Sequence, residues 1–378
     1  IILLYTFISS YNFAQEDTTI TLPDYSYLNP GQTNFLLRGY AHSGLEVYKN
    51  RSTFVGGTFN PLLLWQTSDR LIFEGEIEVE LAGNQTTFGL EYANMAYILN
   101  DKMTLRLGFF LLPFGIYGDR LHPQWINPFP SSPLGFSHAT AVGPTSDLGI
   151  ELRGGLQLGD SKMNYSFYVV NGPSLNDGSM NFGDAGVLHF NNFDDNNSSK
   201  AVGGRLGFLP INNSSLELGF SGYYAGAGNK DSEYENVKTF MYALDISYIE
   251  SLEFLSSIFK LKGQYNSVNV DRARFFNLQA DVFGSLSFDN KSSAYFIYAT
   301  LNPASSENEF MKNLEFAIRY SSVDMPDEAP WGIDQTQWVF GINYWIDWRT
   351  VLKIAYQIDK LKSQSAADAL LVHWSFGF

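Results

Sequence analysis

The sequence predicts an all-β fold, a transmembrane antiparallel β-barrel of 16 strands, and three observations carry that expectation. The first is the chain's last ten residues. Leu370, Val372, Trp374, Phe376 and Phe378 occupy every second position, with Leu371, His373, Ser375 and Gly377 between them. A period of two gives a strand two unlike faces, and a last strand that stops on an aromatic ring suits the closing strand of a bacterial outer-membrane barrel. The second is composition. Of 378 residues, 16% are aromatic (22 Tyr, 31 Phe, 7 Trp) and only 17% charged. Yet no run reaches the roughly 18–20 apolar residues of a spanning helix. A lipid-facing barrel alternates apolar and polar residues and gathers its rings at the two interfaces, so it keeps an unremarkable mean hydropathy. The third is rhythm. Beyond residue 32 the strand pattern recurs sixteen times, and after the first few strands its connections alternate short and long, as in barrels with short periplasmic turns and long outer loops.

The strand-like segments fall at 33–48, 52–66, 70–83, 86–99, 102–112, 145–158, 161–171, 200–209, 214–227, 238–249, 255–270, 291–302, 313–324, 335–347, 350–360 and 369–378. Their faces separate best in the last third. Leu314, Phe316, Ile318 and Tyr320 oppose Glu315, Ala317, Arg319 and Ser321, while Leu352, Ile354, Tyr356 and Ile358 oppose Lys353, Ala355, Gln357 and Asp359. Rings sit near strand ends on the apolar face, as Trp338 and Trp348 or Phe240 and Tyr248 do, which favours a girdle over the buried core of a soluble sandwich. Short connections include Asn100-Asp101, Gly159-Asp160, Pro210–Asn213 and Asp347–Arg349; long ones include 113–144, 172–199, 228–237, 271–290, 325–334 and 361–368. The segment Phe275–Asp289 also alternates. Counting it as a strand gives seventeen, and single-chain bacterial barrels have even numbers. It is therefore placed in an outer loop as a hairpin extension, with 18 strands as the alternative.

Residues 1–14 (IILLYTFISSYNFA) read as a truncated signal peptide ending on the small Ala14, and 15–32 as an N-terminal periplasmic segment. The barrel then spans 33–378. The chain has no Cys, which excludes a disulfide framework and thiolate chemistry. Lys and Arg total 24 against 39 Asp and Glu, a net charge of −15 with no basic stripe, so no nucleic acid partner is expected. No metal or cofactor is expected either. The five His are scattered, and no G-x-S-x-G or H-E-x-x-H pattern occurs, so the chain does not read as an enzyme.

The polar faces carry the candidate pore lining. In 70–83, Glu74, Glu76, Glu78 and Glu80 alternate with apolar residues. Carboxylates about 7 Å apart repel unless water or cations screen them, and a dry core would not tolerate them. A water-filled lumen does, and so does a solvated sheet face. Basic residues occupy other polar faces: Arg38, Arg106, Arg153, Arg205, Lys260, Lys262, Arg319 and Lys353. Rings of charge set ion preference in pores, and opposed acidic and basic walls would orient dipolar solutes. Alternatively these groups pair across neighbouring strands, as Glu151 and Arg153 sharing a face suggest. The segment Pro113–Gly143, with five prolines and several large rings, is too apolar for disorder. It reads as an inward-folded third loop that narrows the pore, with Asp119, Arg120, His122 and Gln124 at the constriction, or else as an outward contact with a neighbouring subunit. Phe182–Lys200, rich in Asn and Asp, reads as a mobile surface loop.

Short motifs resemble the phosphate-selective porin O and P family: Asn313-Leu-Glu-Phe-Ala-Ile-Arg319-Tyr320, Phe340-Gly341-Ile-Asn343-Tyr344-Trp345, Leu352-Lys353-Ile-Ala-Tyr356-Gln357, and Pro113-Phe114-Gly115 leading into the third loop. The resemblance implies a sixteen-stranded homotrimer with an inward third loop. It does not imply phosphate selectivity, which in that family needs a dense basic constriction. Here the loop offers Arg120, His122 and His138, and the Glu ladder opposes it. The expected function is therefore an outer-membrane porin, passing small polar or charged solutes and ions by diffusion, with outer-membrane lipid around it. The alternative is a non-conducting barrel subunit of a secretion or uptake complex.

Overall fold

The computed structural model describes residues 34–137, 140–190, 193–277, 284–362 and 367–378. The expected signal and N-terminal segments, and His138, lie outside these residues. The barrel strands are β1 (Asn34–Tyr48), β2 (Arg51–Ser68), β3 (Leu71–Ala82), β4 (Gln85–Asn100), β5 (Met103–Leu111), β6 (Ser146–Leu158), β7 (Ser161–Val170), β10 (Ala201–Leu209), β11 (Leu216–Gly226), β12 (Lys238–Leu252), β13 (Ser257–Asn277), β14 (Gly284–Asn302), β15 (Leu314–Asp324), β16 (Gln335–Trp345), β17 (Thr350–Leu361) and β18 (Ala367–Gly377). Two short strands, β8 (Ser174–Leu175) and β9 (Leu188–His189), form a separate ladder in the connection after β7. The sixteen barrel strands pair in sequence order, and β1 closes on β18. All pairs are antiparallel, from Tyr40 opposite Gly377 to Tyr48 opposite Ala369 at the seam. Closure leaves no strand edge to satisfy.

The sixteen expected segments correspond to these sixteen strands. The described residues of Phe275–Asp289, 275–277 and 284–289, continue β13 and β14 as a paired extension, with Phe275 opposite Leu286 and, just before it, Ala273 opposite Phe288. Its alternation belongs to strands that run past their neighbours, which is why a linear count suggested a seventeenth.

Burial is inverted relative to a soluble protein. Phe340, Ile342 and Leu244 are 45–51% exposed on the outer face. On the inner face Arg319 and Lys353 are 1% exposed and Glu151 is fully buried. Apolar area costs about 25 cal/mol per Å² in water, so so wide an exposed apolar surface requires hydrocarbon. Rings cluster towards both ends of the outer face. Near the long-loop end, Tyr242 meets Tyr265 (6.1 Å between centroids), Tyr295 meets Tyr320 (5.8 Å) and Tyr320 meets Trp338 (4.8 Å), across five consecutive strands. Near the short-turn end are Trp65 with Phe73 (5.8 Å), Phe310 with Tyr344 (5.3 Å) and Phe59 with Phe378 (5.5 Å). These are the interfacial aromatic positions of an outer-membrane barrel, whose long loops face outward.

The long connections pack on one another. Trp331 donates its indole N–H to the Ala185 carbonyl (2.9 Å), and Tyr234 stacks on Phe275 (5.5 Å). The segment read as a mobile surface loop is therefore anchored in part. Ala185 is fully buried, and Phe182, Leu188 and Phe190 pack against the apolar cluster, because their rings and branched chain interrupt an otherwise polar stretch.

At the seam, the Gly39 N–H donates to the Phe378 carbonyl (3.1 Å), and the Phe378 N–H donates to the Gly39 carbonyl (2.9 Å). Replacing Phe378 with Ser keeps this ladder but removes the ring from Phe59. Phe378→Ser is expected to destabilise the barrel by about 2 kcal/mol, measured by urea unfolding in lipid vesicles. Unchanged stability would show that the terminal ring does not brace the seam.

Candidate functional site

Side chains of the inner face hydrogen-bond to the backbone of residues between 114 and 142. Phe114 and Gly115 lead out of β5, and Gly115 adopts φ +70°, in the left-handed region open to glycine. A side chain there would collide with the carboxamide of Gln264 on β13. That carboxamide accepts from the N–H groups of Ile116 (2.7 Å) and Tyr117 (2.8 Å) and donates to the Phe114 carbonyl (3.1 Å). Asn266 donates to the Val142 carbonyl (2.7 Å), and Ser221 on β11 accepts from the Gly115 N–H (2.9 Å).

Further round the barrel, two cations hold the same segment by its carbonyls. Arg319 on β15 donates to the carbonyls of Ser131 (2.5 Å) and Ser132 (3.2 Å) and to Gln337 on β16 (2.7 Å), with its guanidinium 4.8 Å from the Phe129 ring. Lys353 on β17 donates to the carbonyls of Gln124 and Asn127, the latter at 2.6 Å. Asn343 donates to the Pro128 carbonyl (2.9 Å). Arg319 and Lys353 were expected as lining charges. They are buried among backbone dipoles instead, because a loop of this length brings carbonyls with no strand partner, and such groups must be satisfied.

A short π-helical turn, Tyr117–Leu121, presents the charged residues of the segment. Asp119 lies 3.6 Å from Arg153 on β6. Arg120 contacts Glu217 on β11 at 2.9 Å. His122 Nε2 is 3.8 Å from Glu91 on β4, while Nδ1 is 2.6 Å from the Gly118 carbonyl. Burial raises the Asp119 carboxyl, but Arg153, Arg106, Arg120 and Arg205 outweigh it and hold it below the usual carboxylate range.

The remaining basic residues of the inner face are largely paired. Arg106 contacts Glu151 at 2.5 Å, and Arg153 lies 3.8 Å from the same carboxylate. Arg205 bridges Asp245 (2.6 Å) and Glu217 (2.9 Å), and Lys260 contacts Glu315 (3.3 Å). Among the described residues, Lys262 and Arg38 form no ion pair within 4 Å. Glu74, Glu76, Glu78 and Glu80 share the inner face of β3, with Glu74, Glu76 and Glu80 opposite Leu64, Leu62 and Thr58 of β2 in register. Glu76 is 2% exposed and accepts from the Tyr40 hydroxyl (2.7 Å) and the Asn60 amide (3.2 Å). Glu78 accepts from Asn60 at 3.3 Å, and Glu80 is exposed.

Strand alternation thus located the charges but not all their partners. Glu217 and Gln264 were not singled out, since a single polar residue on an inner face looks like any other. Glu91 was missed for a different reason. The β3–β4 register shifts between Glu76 and Ile77, which leaves Glu91 as the extra residue of a β-bulge, and a bulge breaks the period of two.

Solved structures share this architecture. The anion-selective porin from Comamonas acidovorans matches with a TM-score of 0.57 at 14% identity, covering 92% of this chain and 100% of that one. DcaP, an outer membrane channel of Acinetobacter baumannii, gives 0.56 at 11% identity over 92% and 97% of the two chains. OmpF of Salmonella typhi, solved with daunomycin, gives 0.56 at 12% over 91% and 97%. At such identities the likeness is one of fold. No family model matches the chain, and no curated protein matches it. Its closed sixteen-strand barrel, with an apolar exterior and a charged interior, makes the chain an integral β-barrel of the outer-membrane type.

Two outcomes follow for the loop. Lys353→Met leaves the Gln124 and Asn127 carbonyls without their ammonium donor, and is expected to cost about 2–3 kcal/mol in urea unfolding; no change would show that this lysine does not hold the segment. For Asp119 the folded-state value lies below the unfolded one, so its carboxylate stabilises fully above about pH 4 and the contribution is lost as pH falls through the folded value. Asp119→Asn is expected to melt below wild type at pH 7, with the gap closing as both are acidified from about pH 4 downward. A gap that stays constant over that range would contradict the Asp119–Arg153 contact.

Proposed function

We propose that the chain is an outer-membrane porin that passes small polar or charged solutes by passive diffusion, and that residues 113–144 cross the lumen and narrow it. One observation carries this reading. The segment is fastened by its backbone to inner-face side chains of β11, β13, β15, β16 and β17, while its turn reaches Arg153 on β6 and lies near Glu91 on β4. A loop bound on the inner face and bearing Asp119, Arg120, His122 and Gln124 has the makings of a constriction. Around it, Arg38, the Glu ladder, Arg106, Arg153, Arg205, Lys260 and Lys262 are the candidate lining, with Arg319 and Lys353 acting as supports.

Strand order supports a field across the passage. In a ring of sixteen, β3 and β13 are eight places apart, so Glu74–Glu80 stand half a circumference from Lys260 and Lys262. Such opposed walls orient dipolar solutes. The strand motifs resemble the phosphate-selective porin O and P family, but a loop with one arginine and paired neighbours does not furnish that family's basic constriction. A homotrimer fits the reading. OmpT of Vibrio cholerae, which shares the fold with a TM-score of 0.56, was solved in trimer form.

The test is planar-bilayer recording of refolded protein. Stepwise open channels are expected, and deletion of 119–138 is expected to raise single-channel conductance while heat-resistant folding persists. Folded protein without conductance would favour a barrel that serves a secretion or uptake complex. Unchanged conductance after the deletion would place the loop outside the current path.

A further inference from the structure

We infer that the inner face of β3 and β4 is a cation track, and that the channel favours small cations, inorganic or ammonium-bearing, over anions. The inference rests on the porin reading above and adds the class of solute.

The loop decides which wall borders the open passage. Its backbone is tied to β11, β13 and β15–β17, the half of the ring opposite β3. The cross-section beside the loop is bordered by β1–β4, which the loop approaches through its turn, His122 lying 3.8 Å from Glu91 on β4. On that side the fixed charge is net negative, Arg38 on β1 standing against Glu74, Glu76, Glu78 and Glu80 on β3. Among the described residues, no Lys or Arg comes within 4 Å of Glu74, Glu76 or Glu80. Neutral donors hold Glu76, the Tyr40 hydroxyl and the Asn60 amide, and the same amide also reaches Glu78. Elsewhere on the inner face the basic side chains are mostly offset, Arg106 by Glu151, Arg205 by Asp245 and, across the lumen on β13, Lys260 by Glu315. The two walls are thus unequal, and ions from solution must balance the difference.

A second observation points the same way without counting charges. Asn60 is fully buried and spends its N–H groups on the two glutamates, and its Oδ1 has no hydrogen-bond donor among the described residues. Asn94, 6% exposed and opposite Glu74 in register, has neither amide atom bonded within the described residues. Carboxylates backed by neutral amide and hydroxyl groups make a surface of acceptors, which suits cations and ammonium donors and repels anions. Accessibility rises along β3, from buried Glu76 through half-buried Glu78 to exposed Glu80 at the long-loop end, so the track opens towards the outer mouth.

One carboxylate about 4 Å from a cation in water enriches it about fivefold, and the effect fades as salt shortens the screening length to about 3 Å at 1 M. The experiment is a reversal-potential measurement in a KCl gradient across a planar bilayer. Wild type is expected to prefer K⁺ over Cl⁻ several-fold near 0.1 M, with the ratio falling towards the free-solution value near 1 M. Glu78→Gln/Glu80→Gln is expected to lower the ratio at least twofold, with single-channel steps retained. Glu80→Gln alone, at an exposed position, is expected to lower it less and guards against a misfolded double variant. Cl⁻ preference in wild type, or a ratio that neither variant moves, would overturn the track while leaving the porin reading intact. Folded protein that passes no current would overturn the porin reading, and the track with it.

Discussion

A peptide group that enters hydrocarbon without a hydrogen-bond partner costs several kcal/mol, and the rest of this structure is arranged around that penalty. Closing β1 on β18 satisfies the two strands that would otherwise be edges. Once the ladder is closed, each strand has one face towards lipid and one towards the interior, and the period of two sorts the side chains without further instruction. The apolar residues alternate with Glu, Arg and Lys because the two faces meet different solvents. No internal hydrophobic core of the usual kind is needed to hold the barrel.

The interior then meets the opposite problem. Charges brought inside must be solvated, paired or given backbone dipoles. This chain uses all three. Arg106 and Arg205 are paired with carboxylates, Arg319 and Lys353 are given loop carbonyls, and Glu80 stays exposed. The loop benefits from the same arrangement, since a segment without strand neighbours has carbonyls to satisfy. Supports on five strands fix its backbone, so the position of Asp119 and Arg120 is set by the barrel wall and not by the loop's own weak local structure.

Much of the architecture was legible in the chain because a strand with unlike faces writes its orientation in every second residue. The run from Leu314 to Ser321 and the last ten residues show this: Glu315, Ala317, Arg319 and Ser321, and Leu371, His373 and Ser375, are buried where their apolar neighbours are more exposed. What the alternation could not convey was partnership. Arg205 and Asp245 are forty residues apart, and only barrel order makes them neighbours. Lys353 looked like a pore charge because nothing local says that a loop more than two hundred residues earlier will bring carbonyls to it. Glu91 hid in a bulge, where the rule that revealed the other glutamates fails.

The two-faced wall can be tested without any assay of transport. Because the chain has no Cys, a single cysteine can carry a spin label at each position of β16 in turn. In a lipid bilayer, labels at Phe340, Ile342 and Tyr344 should be relaxed by oxygen dissolved in acyl chains and shielded from a water-soluble nickel complex, with Val339, Gly341 and Asn343 out of phase. Oxygen accessibility that does not alternate, or nickel reaching the apolar positions, would contradict a wall with lipid on one side and a charged interior on the other.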